Sequence, residues 1–384
     1  MGNLEVNIGN LHLSNPLLVG SATPTWNGAH SSKACLKGAG AAVLKTLCPA
    51  GEDNYRHPQD GRFSVVKSGG KPVGMINIEI FSTFKEEQWI SKELVEAKEN
   101  GATIIASTLA AQDPALTAQL IRDVEATGLV DAIELNNSCP MHVSMRDWNV
   151  VALTVEQVSA ARKASKLPLL VKFPSTLSTL ADPVKAAQAC GADGVVLCNS
   201  MSGFAGVDIQ TGKPILGTMG GYSGAAIKPL IQAKVIECAQ ASDIPIVAVG
   251  GINCWQDVVE YIMLGASCVQ VVSAVMWQGY EVLEQWNQKI AEFMDAKGYK
   301  NLESMRGVAL PFIGDYDSVL QQPPHVAQMD SDLCVNCEKC VKTCFYDAIS
   351  KVNGRMQVDP NKCDGCGLCT QLCPKNAVRL YPKE

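Results

Sequence analysis

The chain has 384 residues, with 32 Lys and Arg against 38 Asp and Glu and a net charge of −6. This balance argues against a nucleic-acid partner, which would require a basic patch. No apolar run reaches the roughly 18–20 residues that a membrane-spanning helix needs. The first fifteen residues lack the pattern of a secretory signal. We therefore expect a cytoplasmic protein that contacts neither nucleic acid nor membrane.

Residues 1–308 alternate short apolar runs with amphipathic stretches. The runs predicted as strands are Pro16–Gly20, Ala41–Thr46, Ala102–Leu109, Ala132–Asn136, Leu167–Phe173, Gly194–Asn199, Ile244–Gly250 and Cys268–Ala274. Their near absence of charge is typical of parallel strands that are buried on both faces. Helical patterns at 84–100, 154–165 and 255–264 separate them, and Val73–Ile80 is predicted as an additional extended segment. We predict an α/β fold, a (β/α)8 TIM barrel over residues 1–309, with an open doubly wound sheet as the alternative.

The composition changes after the predicted barrel. Residues 310–328 contain Pro311, Pro323 and Pro324 with few helix signals, and we predict a linker there. An internal repeat follows, in which Cys334–Ile349 and Cys363–Val378 align at every cysteine with an offset of 29 residues. Residues 329–384 are therefore predicted to form a small α+β module with two-fold internal symmetry.

Each repeat carries four cysteines in the spacing C-x2-C-x2-C-x3-C. Thiolates are soft donors for iron, and in two-cluster ferredoxins the fourth cysteine of each run serves the other cluster. One [4Fe-4S] cluster is thus predicted on Cys334, Cys337, Cys340 and Cys373, and the second on Cys363, Cys366, Cys369 and Cys344. A pair of zinc sites is the alternative, but zinc modules do not use a third and fourth cysteine at this repeated spacing. The module predicts electron transfer.

Polar residues lie at the carboxyl ends of the predicted strands of the barrel and on the loops that follow. They are Lys45-Thr46, Asn136-Asn137-Ser138-Cys139, Lys172, Asn199-Ser200, Gly250-Gly251 and Ser273. Active sites of this fold lie at these strand ends. Backbone N–H groups at Gly250-Gly251 and Ser273 suit a phosphate, and a lysine there can stabilise negative charge on a reduced flavin.

Several short segments together resemble a known family. They are Ser21-Ala22-Thr23-Pro24, Leu44-Lys45-Thr46, Asn77-Ile78-Glu79, Glu134-Leu135-Asn136, Ser138-Cys139-Pro140, Asn199, Ser202-Gly203, Gly220–Gly224 and Gly250-Gly251-Ile252. In this order, and followed by the double cysteine motif, the chain resembles the dihydroorotate and dihydropyrimidine dehydrogenase family of FMN barrels. Within that family it is most similar to the PreA-type subunits of NAD-dependent dihydropyrimidine dehydrogenases, which join an FMN barrel to a two-cluster ferredoxin domain. The resemblance covers nearly the whole chain.

The resemblance implies a role for each matching residue. It implies FMN contacts from Ser21, Lys45, Thr46, Lys172, Gly224, Val249, Gly250, Gly251, Val272 and Ser273. It implies substrate contacts from Asn77, Asn136, Asn137, Ser138, Asn199 and Ser200, with Cys139 as the proton donor. The residue types agree with this, because an asparagine amide offers both donors and an acceptor to the edge of a pyrimidine ring. A thiol with an ordinary pKa of about 8.5 is largely protonated at neutral pH and can donate directly.

The predicted reaction is the flavin-dependent reduction of the 5,6-double bond of uracil, thymine or a similar unsaturated cyclic amide. The alternatives are a dihydroorotate dehydrogenase and a non-catalytic electron-transfer subunit. The loop after the fourth strand leaves the ring open, since it reads Asn136-Asn137-Ser138-Cys139-Pro140-Met141-His142 where the family's pyrimidine reductases have Asn-Leu-Ser-Cys-Pro-His-Gly. The many asparagines favour a neutral ring over the carboxylated orotate.

A nicotinamide site of the chain's own is not predicted, because no G-x-G-x-x-G follows a strand. Electrons from NAD(P)H would then enter through the clusters from a partner. The resemblance implies an FAD- and NAD(P)H-binding subunit of the PreT type, and a ferredoxin is the alternative donor. We expect a homo- or hetero-oligomer.

Overall fold

The computed structural model describes residues 2–51, 56–58, 61–138 and 149–383. Contacts between residues divide the chain into two compact units, Met1–Pro311 and Phe312–Glu384. None of the helices in the described ranges combines the length and the apolar character needed to cross a bilayer.

Eight parallel strands close into a barrel in the first unit. They are β1 (Leu17–Val19), β2 (Ala41–Val43), β3 (Ile104–Leu109), β4 (Ala132–Asn136), β5 (Leu169–Lys172), β6 (Gly194–Leu197), β7 (Ile246–Val249) and β8 (Cys268–Val271). Each strand pairs with its neighbours in sequence, and β8 pairs with β1 to close the ring. Every residue of these strands is buried, as their apolar composition predicted. The TIM barrel is thus confirmed, with all strands except β4 shorter than the runs that predicted them.

Helices alternate with the strands along the chain. They are α1 (Gly28–Leu36), α2 (Leu94–Lys98), α3 (Pro114–Ala126), α4 (Val150–Ala164), α5 (Ala181–Ala189), α6 (Lys228–Ala241), α7 (Trp255–Met263) and α8 (Val282–Lys297). Side chains of Asn27, Asp113 and Asn149 accept hydrogen bonds from backbone N–H groups in the first turns of α1, α3 and α4. The helix predicted at 84–100 is divided into Glu86–Gln88, a π-helical turn at Trp89–Glu93, and α2. A short helix, Ser273–Gln278, follows β8 directly.

Two additions to the barrel come from its loops and its N-terminus. A four-stranded antiparallel sheet has the order Met201–Gly203, Gly220–Ser223, Lys71–Asn77 and Phe63–Ser68. Its strands belong to the segments after β2 and β6, so it lies at the carboxyl ends of the barrel strands. The extended segment predicted at 73–80 is therefore largely a strand of this sheet. An N-terminal hairpin, Val6–Ile8 and Leu11–Leu13, packs at the opposite end, where Ile8 contacts Gly194 at the start of β6.

The second unit repeats one arrangement twice. Strand His325–Met329 pairs with Val378–Pro382, and Ile349–Val352 pairs with Arg355–Val358. The helices Lys339–Thr343 and Leu368–Leu372 are 29 residues apart, as the cysteines are. Helix Tyr316–Leu320 and the start of strand His325–Met329 fall within the segment predicted as a linker.

Backbone conformation follows the same 29-residue offset. Asn336 and Glu338 have positive φ, and Gly365 and Gly367 have positive φ at the equivalent places. The first repeat therefore holds two residues with side chains in a conformation that favours glycine. All four residues lie between the first three cysteines of their repeats.

Candidate active site

A single cleft collects most of the predicted site residues. All ten residues predicted to contact the cofactor line it, namely Ser21, Lys45, Thr46, Lys172, Gly224, Val249, Gly250, Gly251, Val272 and Ser273. Four of the six predicted substrate residues also line it, namely Asn77, Asn136, Asn199 and Ser200. The carboxyl ends of the barrel strands form its floor. The antiparallel sheet forms a wall, through residues such as Phe63, Met75 and Gly221.

The other two predicted substrate residues, Asn137 and Ser138, are buried directly behind this surface. The Ser138 hydroxyl donates to Asn136 Oδ1 at 2.5 Å and accepts from Asn199 Nδ2 at 2.9 Å. Ser138 thus holds the two cleft amides in register with each other. The backbone N–H of Asn137 donates to the carbonyl of Lys172 at 3.1 Å, which joins the end of β4 to the end of β5. Cys139, the predicted acid, lies outside the described residues, and its role stays a prediction.

Hydroxyl groups extend this network toward the barrel axis. Asn136 Nδ2 donates to Thr46 Oγ1 at 3.0 Å, and Thr46 Oγ1 is hydrogen-bonded to Ser107 Oγ at 3.0 Å. Ser21 Oγ lies 3.1 Å from the same Thr46 oxygen. Ser107 in turn donates to Glu134 Oε1 at 3.3 Å. The amides that face the cleft are therefore oriented by contacts that reach into the barrel interior.

Glu134 is the innermost group of this network and is completely buried. Its Oε2 accepts a hydrogen bond from Gln270 Nε2 at 2.6 Å, across the barrel from β8. Its Oε1 lies 3.7 Å from the Lys172 ammonium. A carboxylate in an apolar interior requires such partners, because burial of an unpaired charge is strongly unfavourable. Glu134 thereby fixes the position of Lys172 at the cleft floor.

A second ion pair lies on the other side of the cleft. Glu79 Oε2 is 3.2 Å from Lys45 Nζ and accepts from the Thr23 hydroxyl at 2.7 Å, while its Oε1 is 3.5 Å from Arg62. Burial lowers the pKa of the Lys45 ammonium, although the Glu79 carboxylate acts in the opposite direction. Burial alone would raise the pKa of Glu79, but attraction to Lys45 and hydrogen bonds from Thr23 and Lys45 outweigh it and lower that pKa. Glu79 is therefore an anion in the cleft at neutral pH.

The backbone after β7 approaches α6 closely. Gly251 has φ +79°, and a Cβ there would lie 2.4 Å from the Cα of Lys228. Only glycine fits this place, and the Gly250 carbonyl is held by the Tyr261 hydroxyl at 2.7 Å. Glycine residues expose backbone N–H groups to an anion, as phosphate sites after the seventh and eighth strands of this fold do.

These features fit an FMN. The cleft has a glycine-lined place for a phosphate and two lysines that can stabilise negative charge. It also contains a buried acceptor, Gln270 Oε1, which has no hydrogen-bond partner among the described residues. FMN would be held by the Gly250–Gly251 backbone, Ser273 and the two lysines.

The eight repeat cysteines line two cavities in the second unit. One is lined by Cys334, Cys337, Cys340 and Cys373, and the other by Cys344, Cys363, Cys366 and Cys369. Each cavity thus takes three cysteines from one repeat and the fourth from the other. Backbone N–H groups of Ala348 and Ala377 donate to Cys344 at 3.4 Å and Cys373 at 3.2 Å, and Ala327 donates to Cys363 at 3.3 Å. Thiolates accept such bonds when they hold a cluster, so both cavities fit four-thiolate iron–sulfur centres.

Within the described part of the chain, Cys198 is the one cysteine that lines the cleft. It is 1% exposed, and burial raises the pKa of its thiol to about 12. A thiol with this pKa is a weak acid at neutral pH. Cys198 is therefore part of the packing beneath the cleft.

Sequence reasoning assigned no role to Glu79, Glu134 or Gln270. The available signal was a polar residue inside an otherwise apolar strand, as in Ala132-Ile133-Glu134-Leu135-Asn136 and Cys268-Val269-Gln270-Val271. Because side chains alternate along a strand, Glu134 points to the same side as Asn136. Glu79 lies just beyond the strand that ends at Asn77, so strand alternation gave no signal for it.

A parallel barrel with a cation- and amide-lined cleft, joined to a module with two four-cysteine cavities, defines a flavin oxidoreductase with iron–sulfur centres. The sequence model described as dihydroorotate dehydrogenase matches residues 3–294, and the model of the 4Fe-4S dicluster domain matches residues 327–380. The first match covers about three quarters of the chain, so this protein belongs to the dihydroorotate dehydrogenase family. Its cofactors are FMN and [4Fe-4S] clusters, and its reaction is an oxidoreduction, as the sequence predicted.

Curated relatives carry dihydroorotate in their names. The chain is similar to the dihydroorotate dehydrogenase B (NAD(+)) catalytic subunits of Thermococcus kodakarensis and Methanothermobacter thermautotrophicus, with 30% and 32% identity; each similarity covers 80% of this chain and 98% of the relative. It is also 32% identical to dihydroorotate dehydrogenase A (fumarate) of Lactobacillus helveticus, over 71% of this chain and 88% of that protein. These names agree better with a dihydroorotate dehydrogenase, which the sequence offered as an alternative, than with the predicted reduction of uracil, thymine or a similar cyclic amide.

Replacing either cleft lysine should weaken FMN binding. Lys45→Ala and Lys172→Ala each remove a cation from the cleft, and a hydrogen bond to a charged group contributes about 1.5–3 kcal/mol, or roughly 10- to 100-fold in affinity. FMN content after purification and the dissociation constant on refilling measure this effect. Lys98→Ala is the control, because Lys98 pairs with Asp131 at 2.5 Å and does not line the cleft. Unchanged affinity in both cleft variants would exclude these lysines from the FMN site.

Proposed function

We propose that this chain oxidises or reduces the C5–C6 bond of a pyrimidine ring held in the cleft beside FMN. The observation that carries the proposal is the array of Asn77, Asn136, Asn199 and Ser200 in the same cleft as Lys45 and Lys172. A pyrimidine edge alternates N–H donors with C=O acceptors, and an amide can meet both. FMN, when bound, exchanges a hydride with the ring. The chain's own residues orient the ring and manage the proton.

Dihydroorotate and orotate are the first substrate pair that we propose. The support is the family membership and the names of the relatives, whose length the chain covers almost completely. The three cations Lys45, Arg62 and Lys172 are consistent with a carboxylated ring in or near the cleft.

Glu79 favours a second candidate, the reduction of a neutral ring such as uracil or thymine. Its carboxylate lines the cleft and pairs with both Lys45 and Arg62, so it offsets the cations that would attract a substrate carboxylate.

The iron–sulfur unit supports a route for electrons that differs from the route in these relatives. The similarities reach 98% of the relatives but only 80% of this chain, so about a fifth of this chain has no counterpart in them. The second unit, residues 312–384, is of about that size and holds the four-cysteine cavities.

Cys139 is the acid or base that we propose for the ring carbon opposite the flavin. It follows Ser138 in sequence, and the Ser138 hydroxyl is hydrogen-bonded to the side chains of both Asn136 and Asn199. In the reductive direction the thiol would give its proton to the ring carbon, and in the oxidative direction the thiolate would remove it. Cys198 is unsuited to this task because of its raised pKa.

Electrons would pass between FMN and a partner protein through the clusters. We propose Cys334, Cys337, Cys340 and Cys373 as ligands of one cluster and Cys344, Cys363, Cys366 and Cys369 as ligands of the other. The two four-cysteine cavities support these assignments. The proposed partner is an FAD- and NAD(P)H-binding subunit of the PreT type, with a ferredoxin as the alternative.

A substrate panel distinguishes the candidates. Enzyme with reduced FMN is mixed anaerobically with orotate, uracil and thymine, and enzyme with oxidised FMN with dihydroorotate and dihydrouracil, while flavin absorbance is followed. Rapid flavin turnover is expected with one class of ring, either carboxylated or neutral. Turnover with none of these rings would favour the non-catalytic electron-transfer reading.

Glu79→Gln separates the two ring classes by charge. If Glu79 repels a carboxylated ring, the nearly isosteric variant should favour orotate over uracil by about tenfold or more relative to the parent. The ratio of kcat/KM values for the two rings measures this change. Glu260→Gln is the control, since Glu260 pairs with Lys228 at 2.8 Å outside the cleft. An unchanged ratio would remove Glu79 as a determinant of ring charge.

Cys139→Ala should leave FMN content unchanged and slow the chemical step. General acid–base catalysis contributes typically ~10²–10⁴-fold, so single-turnover flavin reoxidation by saturating substrate should slow within that range. Cys139→Ser should be nearly as slow at neutral pH, because a hydroxyl is a far weaker acid than a thiol. Reoxidation at the parental rate in the alanine variant would show that the proton comes from another group.

The purified chain should not oxidise NADH or NADPH at a useful rate. No dinucleotide-binding fingerprint follows a strand in the sequence, so the nicotinamide must react on a partner. The same preparation should turn over when electrons come from dithionite or a reduced viologen dye. Rapid NADH oxidation by the chain alone would contradict the need for a partner.

A further inference from the structure

We propose that Gln270 is a further FMN-binding residue, whose side-chain carbonyl accepts a hydrogen bond from the cofactor, and that Glu134 holds it in that orientation. The inference rests on the proposed placement of FMN in the cleft. It concerns two residues to which the sequence patterns assigned no role.

The orientation of the Gln270 amide follows from its neighbour. Gln270 lies in β8, is 1% exposed and lines the cleft. The side-chain atom 2.6 Å from Glu134 Oε2 is Nε2. A carboxylate only accepts hydrogen bonds, so the amide nitrogen must face Glu134 and the carbonyl oxygen must point away from it.

That carbonyl oxygen is a buried acceptor without a hydrogen-bond partner among the described residues. Room beside it is kept open at the end of β1, since a Cβ on Gly20 would lie only 3.0 Å from it. Buried polar groups in folded proteins almost always have a partner, so an orphan acceptor that lines a cofactor cleft indicates a donor on the ligand.

Few groups of FMN can act as that donor. In the oxidised isoalloxazine the ring N3–H is the donor, while N1, N5 and the two carbonyl oxygens accept, and the ribityl chain adds hydroxyl donors. Gln270 Oε1 would thus accept a hydrogen bond from the ring N3–H or from one ribityl hydroxyl.

Glu134 is a positioning residue in this arrangement. Ser107 donates to its Oε1 at 3.3 Å and Lys172 lies 3.7 Å from the same oxygen, while Oε2 is occupied by Gln270. Both oxygens are held, so the carboxylate cannot rotate away and release the amide. One buried anion thereby orients a cation and a hydrogen-bond acceptor beneath the same ligand.

Gln157 provides a matched control. It is also 1% exposed, its Nε2 donates to the Ala111 carbonyl at 2.7 Å, and its Oε1 likewise has no hydrogen-bond partner among the described residues. Unlike Gln270, it does not line the cleft. Gln157→Leu therefore reproduces the chemical change of Gln270→Leu away from the proposed ligand.

The test removes FMN from the purified protein and measures dissociation constants on refilling. Three ligands are compared: FMN, N3-methyl-FMN, which lacks the ring donor, and FMN analogues that lack single ribityl hydroxyls. Gln270→Leu should bind FMN about 2- to 10-fold more weakly, the range of one neutral hydrogen bond, and Gln157→Leu should match the parent. For one of the analogues, the parent should bind about 2- to 10-fold more weakly than it binds FMN. Gln270→Leu should bind that same analogue almost as well as it binds FMN. That analogue identifies the donor.

The inference would be overturned if, for every analogue, Gln270→Leu lost as much affinity relative to FMN as the parent does. Gln270→Met repeats the comparison with a flexible side chain of similar length if the leucine variant does not fold. Glu134→Gln should reduce the coupling between residue 270 and the same analogue, because an amide can face Gln270 with either atom. If the lysine variants keep full FMN affinity, the placement of FMN fails; if they lose it and Gln270→Leu shows no coupling, only this inference fails.

Discussion

A single buried carboxylate organises the catalytic end of the barrel. Glu134 has no exposed surface and stands in a ring of strands that is otherwise almost entirely apolar. Its stability in that interior requires donors, and Ser107, Lys172 and Gln270 supply them from β3, β5 and β8. The polar network in turn determines where each of these side chains lies at the cleft floor. The rest of the site depends on this arrangement, since Thr46, Asn136 and Ser138 connect to it through hydroxyl and amide groups.

The two sides of the cleft differ in how charge is balanced. On the β4–β5 side, Lys172 faces an anion that lies beneath it in the barrel. On the β2 side, Lys45 faces Glu79, which itself lines the cleft and is shared with Arg62. Glu134 is buried beneath the cleft floor, whereas Glu79 itself lines the cleft and is open to contact with a bound ligand. The charge of the ligand that the cleft accepts should therefore depend on Glu79 and its two cations as well as on Lys172.

The C-terminal unit positions cysteine thiolates around two cavities. Thiolates need backbone N–H donors and a fixed geometry, and the unit provides both twice with the same 29-residue offset. Each four-cysteine cavity borrows its last cysteine from the other repeat. Neither repeat can complete its cavity alone, so folding of the unit and assembly of the clusters should be coupled.

The sequence by itself determined the barrel, the two-cluster module and fourteen of the residues that line the cleft. Apolar parallel strands must be covered on both faces, and the carboxyl ends of all eight meet at one end of the barrel, so Lys45, Lys172 and Asn199 could be placed together from their positions at the ends of predicted strands. The cysteine spacing is equally informative, because four thiolates at these intervals suit few centres other than a [4Fe-4S] cluster. Tertiary structure alone decided the pairing of Lys45 with Glu79, of Gln270 with Glu134, and of Ser138 with Asn199. These partners are 34, 136 and 61 residues apart. Which of them meet depends on the register between strands and on which strands face each other across the closed barrel, and local sequence pattern determines neither.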